Sequence, residues 1–122
     1  MTIEEIDKII ISYGFVGEYN SVQSIEYKVN DFNCYNRLIS LNYKLGVLYW
    51  WDVYSNDTYT LLYCPLSSQK LVYIKDLNTS FLHNTIRNLK EEVDNIRYSK
   101  KQYLINKKLK ALAGDFNVQD NG

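Results

Sequence analysis

The sequence is poor in the residues that build catalytic and metal sites. Histidine occurs once, at His83, which excludes a site with two histidine ligands and most acid–base pairs. The two cysteines, Cys34 and Cys64, are too few for a disulfide framework and do not have metal-ligand spacing. The five glycines are scattered singly, so the chain lacks a phosphate-cradling loop. These shortages predict a protein that is not an enzyme and uses no cofactor or metal ion.

An enzyme of unrecognised type stays open as the third hypothesis. A cysteine nucleophile would require Cys34 or Cys64 to lie beside His83, and neither cysteine has a flanking motif that indicates activation. Neighbouring carboxylates occur only at positions 4–5 and 91–92, where adjacent residues of a helix point in different directions. Neither pattern predicts paired acid–base chemistry.

Long apolar runs are also missing, since no segment approaches the roughly 20 residues of a membrane helix. The first residues are acidic (Glu4, Glu5 and Asp7), unlike a signal peptide. We therefore expect a cytoplasmic protein with free thiols and no membrane contact, although a Cys34–Cys64 disulfide remains an alternative. The net charge of zero argues against bulk attraction to nucleic acid. The length predicts one domain over residues 1–114 and a flexible tail over 115–122.

Aromatic residues are abundant, at 15% of the chain, and twelve of them are tyrosines. They concentrate in residues 45–64, which predict two strands, 47–54 and 58–64, folded back at residues 55–57 with Tyr54 opposite Thr58. Both faces of this hairpin are apolar. Such a strand lies in the middle of a sheet, covered on both sides or by a partner chain.

The remaining patterns predict an α+β fold. Thr2 and Glu5 form a capping box for a helix over residues 2–13, which Gly14 ends. Residues 17–24 read as irregular, and alternating residues predict further strands at 25–29, 37–43 and 70–75. Five strands joined by short turns imply an antiparallel meander.

A long helix is predicted from residue 81 to Gly114. Its first half carries an apolar seam at a 4-3-4-3 spacing, formed by Leu82, Ile86, Leu89, Val93 and Ile96. Its second half carries a different stripe, Ile105, Leu109 and Leu112, rotated by roughly a third of a turn. Either the helix bends near Ser99 or its halves pack against different partners.

The surplus apolar surface predicts an interface. One helix can cover only one face of the sheet, so the seam and the aromatic strand require another cover. We therefore expect a homo-oligomer, a dimer, with Leu82, Ile86, Leu89, Val93, Ile96, Trp50 and Tyr54 at its interface. The alternative is that the aromatic strand is wrongly phased, so that its residues are assigned to the wrong faces of the sheet.

The stretch 97–110 contains six basic residues and no acidic one. Cations contact phosphates and bases stack on aromatic rings, so this stretch suggests a nucleic-acid or nucleotide ligand. The candidate contacts are Arg97, Lys100, Lys101, Tyr103, Lys107 and Lys108. The alternative is a solvated helix end whose lysines suit the helix dipole.

The composition suggests an origin. Asn, Ile, Lys and Tyr supply 47 residues, and Lys outnumbers Arg eleven to three, as expected of an A+T-rich genome. In this profile the chain resembles small phage-encoded inhibitors of bacterial defence, such as anti-CRISPR proteins, a resemblance that covers no particular residues. It implies a non-enzymatic protein that occupies a host protein or protein–nucleic-acid complex in the host cytoplasm.

Overall fold

A computed structural model describes residues 1–20 and 23–120, with side chains up to residue 114. The described part of the chain contains two helices, α1 and α2, and eight short strands. The bounds are α1 Ile3–Ser12, β1 Val16–Asn20, β2 Ser24–Lys28, β3 Asn33–Cys34, β4 Ile39–Asn42, β5 Val47–Trp50, β6 Tyr54–Ser55, β7 Leu61–Tyr63, β8 Lys70–Tyr73 and α2 Thr79–Asp120. Short 3-10 turns at Leu66–Ser68 and Ile74–Asp76 flank β8.

Five of the strands form one antiparallel sheet in the order β1-β2-β4-β5-β8. Neighbours along this order are also successive along the chain, apart from two excursions that build a second sheet. The predicted α+β fold, with an N-terminal helix, a five-stranded antiparallel sheet and a long C-terminal helix, is thereby confirmed.

The core lies between the inner face of this sheet and the two helices. Alternate residues of β2, β4 and β5 point inward and are almost wholly buried, namely Ile25, Tyr27, Ile39, Leu41 and Leu48. Helix α1 adds Ile6 and Ile10 to the same cluster. The Tyr27 hydroxyl donates to Asp7 Oδ1 at 2.6 Å, which fixes α1 on β2.

Helix α1 begins as the sequence predicts. The Glu5 backbone N–H donates to Thr2 Oγ1, and the Thr2 backbone N–H donates to Glu5 Oε1, both at 3.1 Å. This reciprocal cap satisfies two of the N–H groups that a helix start leaves without partners. Gly14 follows the helix with φ +92°, a conformation that L side chains rarely adopt.

The predicted hairpin of residues 47–54 and 58–64 is wrong as a pairing. Strand β5 pairs with β4 and β8, while β7 pairs with β3 and β6 in a separate three-stranded sheet. Tyr54 lies opposite Tyr63, not Thr58. Asn56 accounts for the wider reversal, because its Oδ1 accepts from the backbone N–H groups of Thr60 and Leu61 at 2.9 and 3.2 Å.

Strand β1 replaces β7 as the fifth member of the main sheet, although residues 17–24 read as irregular. It is an exposed edge strand, so its residues have little apolar alternation. Its inward position is occupied by Gly17, where a Cβ atom would lie 3.0 Å from Ile25 Cγ2 and from the Tyr27 ring. Because Gly17 has no side chain, the Tyr27 ring can pack against its backbone. For the same reason the sequence shows no apolar residue at this position, and the alternation typical of a strand is absent.

Helix α2 is a single unbroken helix of 42 residues, about 63 Å long. It runs past Gly114, the predicted end, to Asp120, and it continues through Ser99, the predicted bend. Residues 104–114 are exposed throughout, so the helix projects beyond the core. The flexible tail expected at 115–122 falls outside the described side chains and stays a prediction.

Candidate functional site

The residues with catalytic potential are occupied or buried. His83 Nδ1 lies 2.7 Å from the Tyr13 hydroxyl, and the two rings meet edge to face. Both cysteines are free thiols, as expected, and burial raises the pKa of the Cys64 thiol to about 12. The Cys64 thiol is therefore protonated at neutral pH and a poor nucleophile. Among the described residues, no group of three His, Cys, Asp or Glu side chains is placed to hold a metal ion.

The predicted interface seam lies in the chain's own core. Four of its five residues are buried against the sheet, namely Leu82, Ile86, Leu89 and Val93. The fifth, Ile96, is half-buried and packs against this core. Trp50 is half-buried against Phe81 of α2, with ring centroids 6.1 Å apart. Only Tyr54, stacked on Tyr63, remains well exposed. The seam therefore has a core role, and its reassignment removes the main argument for a dimer.

Two of the predicted phosphate-binding cations are already engaged. The Arg97 guanidinium donates to both carboxylate oxygens of Asp31, at 2.6 and 3.0 Å, and to Asp94 at 2.7 Å. The Lys100 ammonium lies 4.7 Å from the centre of the Phe32 ring. These contacts join α2 to the loop before β3. Arg97 and Lys100 therefore hold the helix on the domain.

The Asp31–Arg97 pair predicts a dependence of stability on pH. Hydrogen bonds from Arg97 hold the pKa of Asp31 below its ordinary value. Stabilisation by the pair is thus complete above the unfolded pKa, near 3.9, and is lost as the pH falls through the lowered folded pKa. Both side chains are partly exposed, so the effect should be roughly 1 kcal/mol. In the Asp31→Asn variant, Tm should fall less steeply with decreasing pH below about pH 4 than it does in the wild type. Identical dependences of Tm on pH in this range would contradict the assignment.

The other predicted contacts lie on the projecting part of α2 or at its base. Lys101, Lys107 and Lys108 are exposed, and no ion pair engages them within the described residues. The Tyr103 ring packs against Tyr59, with centroids 5.7 Å apart, and Tyr103 is the last half-buried residue of α2 before the exposed residues 104–114. The structure thus divides the six candidates: Arg97, Lys100 and Tyr103 contact the domain, and the three lysines face solvent.

An apolar stripe accompanies these lysines. It consists of Tyr98, Ile105, Leu109 and Leu112, which are between 42% and 65% exposed, and we call it the distal stripe. At about 100° per residue, the centre of the distal stripe lies roughly 150° around the helix from the centre of the seam, more than the third of a turn expected from the sequence. The distal stripe therefore faces away from the side of α2 that packs on the sheet. The sequence offers a bend near Ser99 or two halves that pack against different partners. The helix continues through Ser99 and its first half packs on the sheet, while a different partner for its second half stays a prediction.

A second feature, on the outer face of the sheet, was not predicted. Glu26, Arg37, Tyr49 and Trp51 line a cleft of about 310 Å³ there. The Arg37 guanidinium lies 5.0 Å from the centre of the Trp51 ring, and Tyr49 stacks on Trp51 at 6.3 Å. The alternation of polar residues in β2 and β4 was visible in the sequence. The row that brings Glu26 and Ser40 beside Tyr49 depends on the register of these neighbouring strands, which alternation alone does not give.

No protein-family model, curated protein or solved structure matches this chain. None of the described helices is both long enough and apolar enough to cross a membrane. Inferences about function therefore depend on the distal stripe, its lysines and the sheet cleft.

Proposed function

We propose that this protein is a non-enzymatic binding protein that acts by occupying a partner protein, and that the projecting part of α2 is its contact surface. The observation that carries the proposal is the distal stripe, an apolar row on a helix end whose residues 104–114 are all exposed. Large apolar side chains gathered on one helix face mark interaction surfaces. A helix laid into a groove uses anchors spaced like Ile105, Leu109 and Leu112.

The positive charge near the distal stripe indicates what kind of partner surface would fit it. Lys101 and Lys108 flank the apolar row, whereas Lys107 lies on the opposite side of the helix. The stretch 97–110 contains no acidic residue. We infer that the partner offers an apolar groove with an acidic rim, because complementary charges speed association and exclude wrong partners. A homodimer through the same stripe, the assembly expected from the sequence, would bring like charges together. We therefore favour a foreign protein.

The amino-acid composition, which is the kind expected of an A+T-rich genome, supports a narrower form of this proposal. A phage or mobile element that encodes a small inhibitor of a bacterial defence complex would need a compact domain with one protruding contact element. Such an inhibitor would work in the cytoplasm of the host cell. Its helix end would occupy a groove that the complex uses for assembly or for its own substrate.

Nucleic acid is the second candidate for this surface, since lysines and tyrosines are the side chains it requires. The engagement of Arg97 and Lys100 within the domain weakens this candidate. Three uncommitted lysines interspersed with apolar side chains favour a protein groove over a phosphate backbone. Phosphate-led binding would weaken steeply with salt, whereas contact through the distal stripe would change little.

The test is capture from a low-GC bacterial lysate with three baits. These are the wild-type protein, Ile105→Asp/Leu109→Asp and Lys107→Glu/Lys108→Glu, with and without nuclease. We expect a protein that the wild type retains after nuclease treatment and the stripe variant loses. Purified with the wild-type protein, it should form a complex of defined stoichiometry. Capture that nuclease abolishes, or that is equal for the wild type and the stripe variant, would contradict the proposal.

A further inference from the structure

The outer face of the five-stranded sheet carries a polar cleft that the helix surface does not explain. The register sets Glu26 opposite Ser40 and Ser40 opposite Tyr49, so these side chains form one row across β2, β4 and β5. Trp51 continues the same face beyond β5, and the cleft among them measures about 310 Å³. A concave site with an aromatic wall and a few convergent polar groups is the usual form of a small-molecule site.

Two buried polar atoms at this cleft, one on Glu26 and one on Trp51, make no hydrogen bond with any described residue. Glu26 is 8% exposed and Trp51 is 3% exposed. Within the described part of the chain, Glu26 Oε2 and Trp51 Nε1 have no hydrogen-bond partner. Ser24 donates to Glu26 Oε1 at 3.2 Å, so only one oxygen of this carboxylate remains. Native proteins rarely leave such atoms unpaired, and each one requires an explanation.

Arg37 forms an ion pair with Glu26 and lies over the Trp51 ring, but it provides no acceptor for the Trp51 N–H. Its Nε atom lies 3.1 Å from Glu26 Oε2, within ion-pair distance but outside hydrogen-bond geometry, and its guanidinium lies over Trp51. The Arg37 side chain is 45% exposed, so it can rotate toward solvent. Such a rotation would offer one acceptor, the Glu26 carboxylate, and one donor, the Trp51 N–H, beside the Tyr49 ring.

A planar base matches this combination. A nucleobase edge presents donors next to acceptors, and its face stacks on aromatic side chains. A second cleft of about 410 Å³ shares Glu26 and Arg37 and extends toward Lys28, Tyr35 and Asn36, with room for a ribose and its hydroxyls. The nearby charges balance, Glu18 and Glu26 against Lys28 and Arg37, so the site suits a neutral ligand.

We propose that the outer face of the sheet binds a nucleoside unit, with the base between Glu26, Trp51 and Tyr49 and the ribose toward Lys28 and Asn36. The unit is either a free nucleoside or nucleotide or one residue of a single-stranded nucleic acid. Arg37 acts as a gate that rotates outward when the base enters. The site is separate from the distal stripe, so the two proposals fail independently.

Tryptophan fluorescence tests this directly, because Trp50 and Trp51 are the only tryptophans. In Trp50→Phe, the emission of Trp51 is recorded during titration with the four ribonucleosides, their 5′-monophosphates and a single-stranded oligonucleotide. We expect a saturable change with a Kd below about 1 mM for at least one base, which corresponds to a binding free energy of roughly −4 kcal/mol or better. Nucleoside and monophosphate should agree within about threefold, with little change between low and physiological salt, because the site is neutral.

Variants in the same background identify the site. Tyr49→Ala should weaken binding at least about tenfold through lost stacking. Glu26→Gln should weaken binding as well, because the neutral amide has one acceptor oxygen instead of two and accepts less strongly than a carboxylate; thermal melting checks that the variant folds. Tyr73→Ala is the matched control, since Tyr73 is an exposed tyrosine on the same sheet that lines neither cleft, and it should bind normally.

The remaining outcomes either show whether the nucleoside unit is free or part of a nucleic-acid strand, or overturn the proposal. Oligonucleotide binding that Tyr49→Ala weakens would support it and assign the unit to a nucleic-acid strand. Oligonucleotide binding that Tyr49→Ala leaves unchanged would overturn it. Saturation by glucose or by free arginine instead, or no saturation by any base at 5 mM, would overturn it as well.

Discussion

Replacing Val93 by glutamate should unfold the protein. Val93 is completely buried where α2 packs on the sheet, among Leu89, Ile86 and the inner-face residues. A carboxylate there loses its hydration and finds no described cation, which costs about 3–5 kcal/mol or more. This is a large part of the roughly 5–15 kcal/mol that stabilises a typical domain. We expect a Tm lowered by more than about 10 °C, or no folded protein.

Leu109→Glu is the matched control for this prediction. It places the same charge on the same helix, but in the distal stripe, where the side chain is exposed. Its Tm should stay within about 2 °C of the wild type, as for most surface substitutions. The measurement is circular-dichroism melting of both variants. A folded Val93→Glu protein with unchanged Tm and altered sedimentation would restore the seam as an interface between chains.

The elements with a strong local pattern could be predicted from the sequence. Thr2, Glu5 and Gly14 define the N-terminal helix by chemistry that acts within a few residues, and the structure has the same cap. The long helix followed from the spacing of its seam. Whether that seam packs on its own sheet or on another chain is a tertiary question, so the periodicity alone could not decide it.

The pairing of β2, β4 and β5 agrees with the predicted meander, but that of β7 could not be predicted, because it depends on contacts distant in the chain. The aromatic run appeared as one hairpin because Tyr54 and its neighbours alternate on both sides of a turn. In the structure, Asn36 binds the backbone of Cys64 through both its Nδ2 and Oδ1 atoms, each at 2.7 Å. This contact, 28 residues apart, holds β7 beside β3. The sheet cleft is a matter of register, because the predicted meander places β2, β4 and β5 side by side but does not give the row of Glu26, Ser40 and Tyr49.

The double change Ile105→Asp/Leu109→Asp should abolish partner binding without destabilising the domain. Apolar anchors at the centre of an interface each cost about 2 kcal/mol or more when lost, so two anchors correspond to an affinity at least about 100-fold weaker. Both side chains lie on the exposed part of α2, so the Tm should not change. Loss of Tm together with binding would indicate that these residues are structural.

Reversing the lysines should have a different kinetic effect. Lys107→Glu/Lys108→Glu reverses Lys108 beside the distal stripe and Lys107 on the opposite side of the helix, and it leaves the apolar anchors in place. Association with an acidic rim should slow several-fold at low salt, and dissociation should be nearly unchanged. Raising the salt concentration should bring the variant closer to the wild type. Faster dissociation at all salt concentrations would assign the lysines to buried contacts instead.

The central claim, that the distal stripe binds a partner protein, is tested most directly by surface plasmon resonance with the captured partner. The wild type and Ile105→Asp/Leu109→Asp are compared after melting curves have shown that both are equally folded. We predict an affinity at least about 100-fold weaker for the variant, mainly through faster dissociation. Equal affinities for the two proteins would contradict the claim.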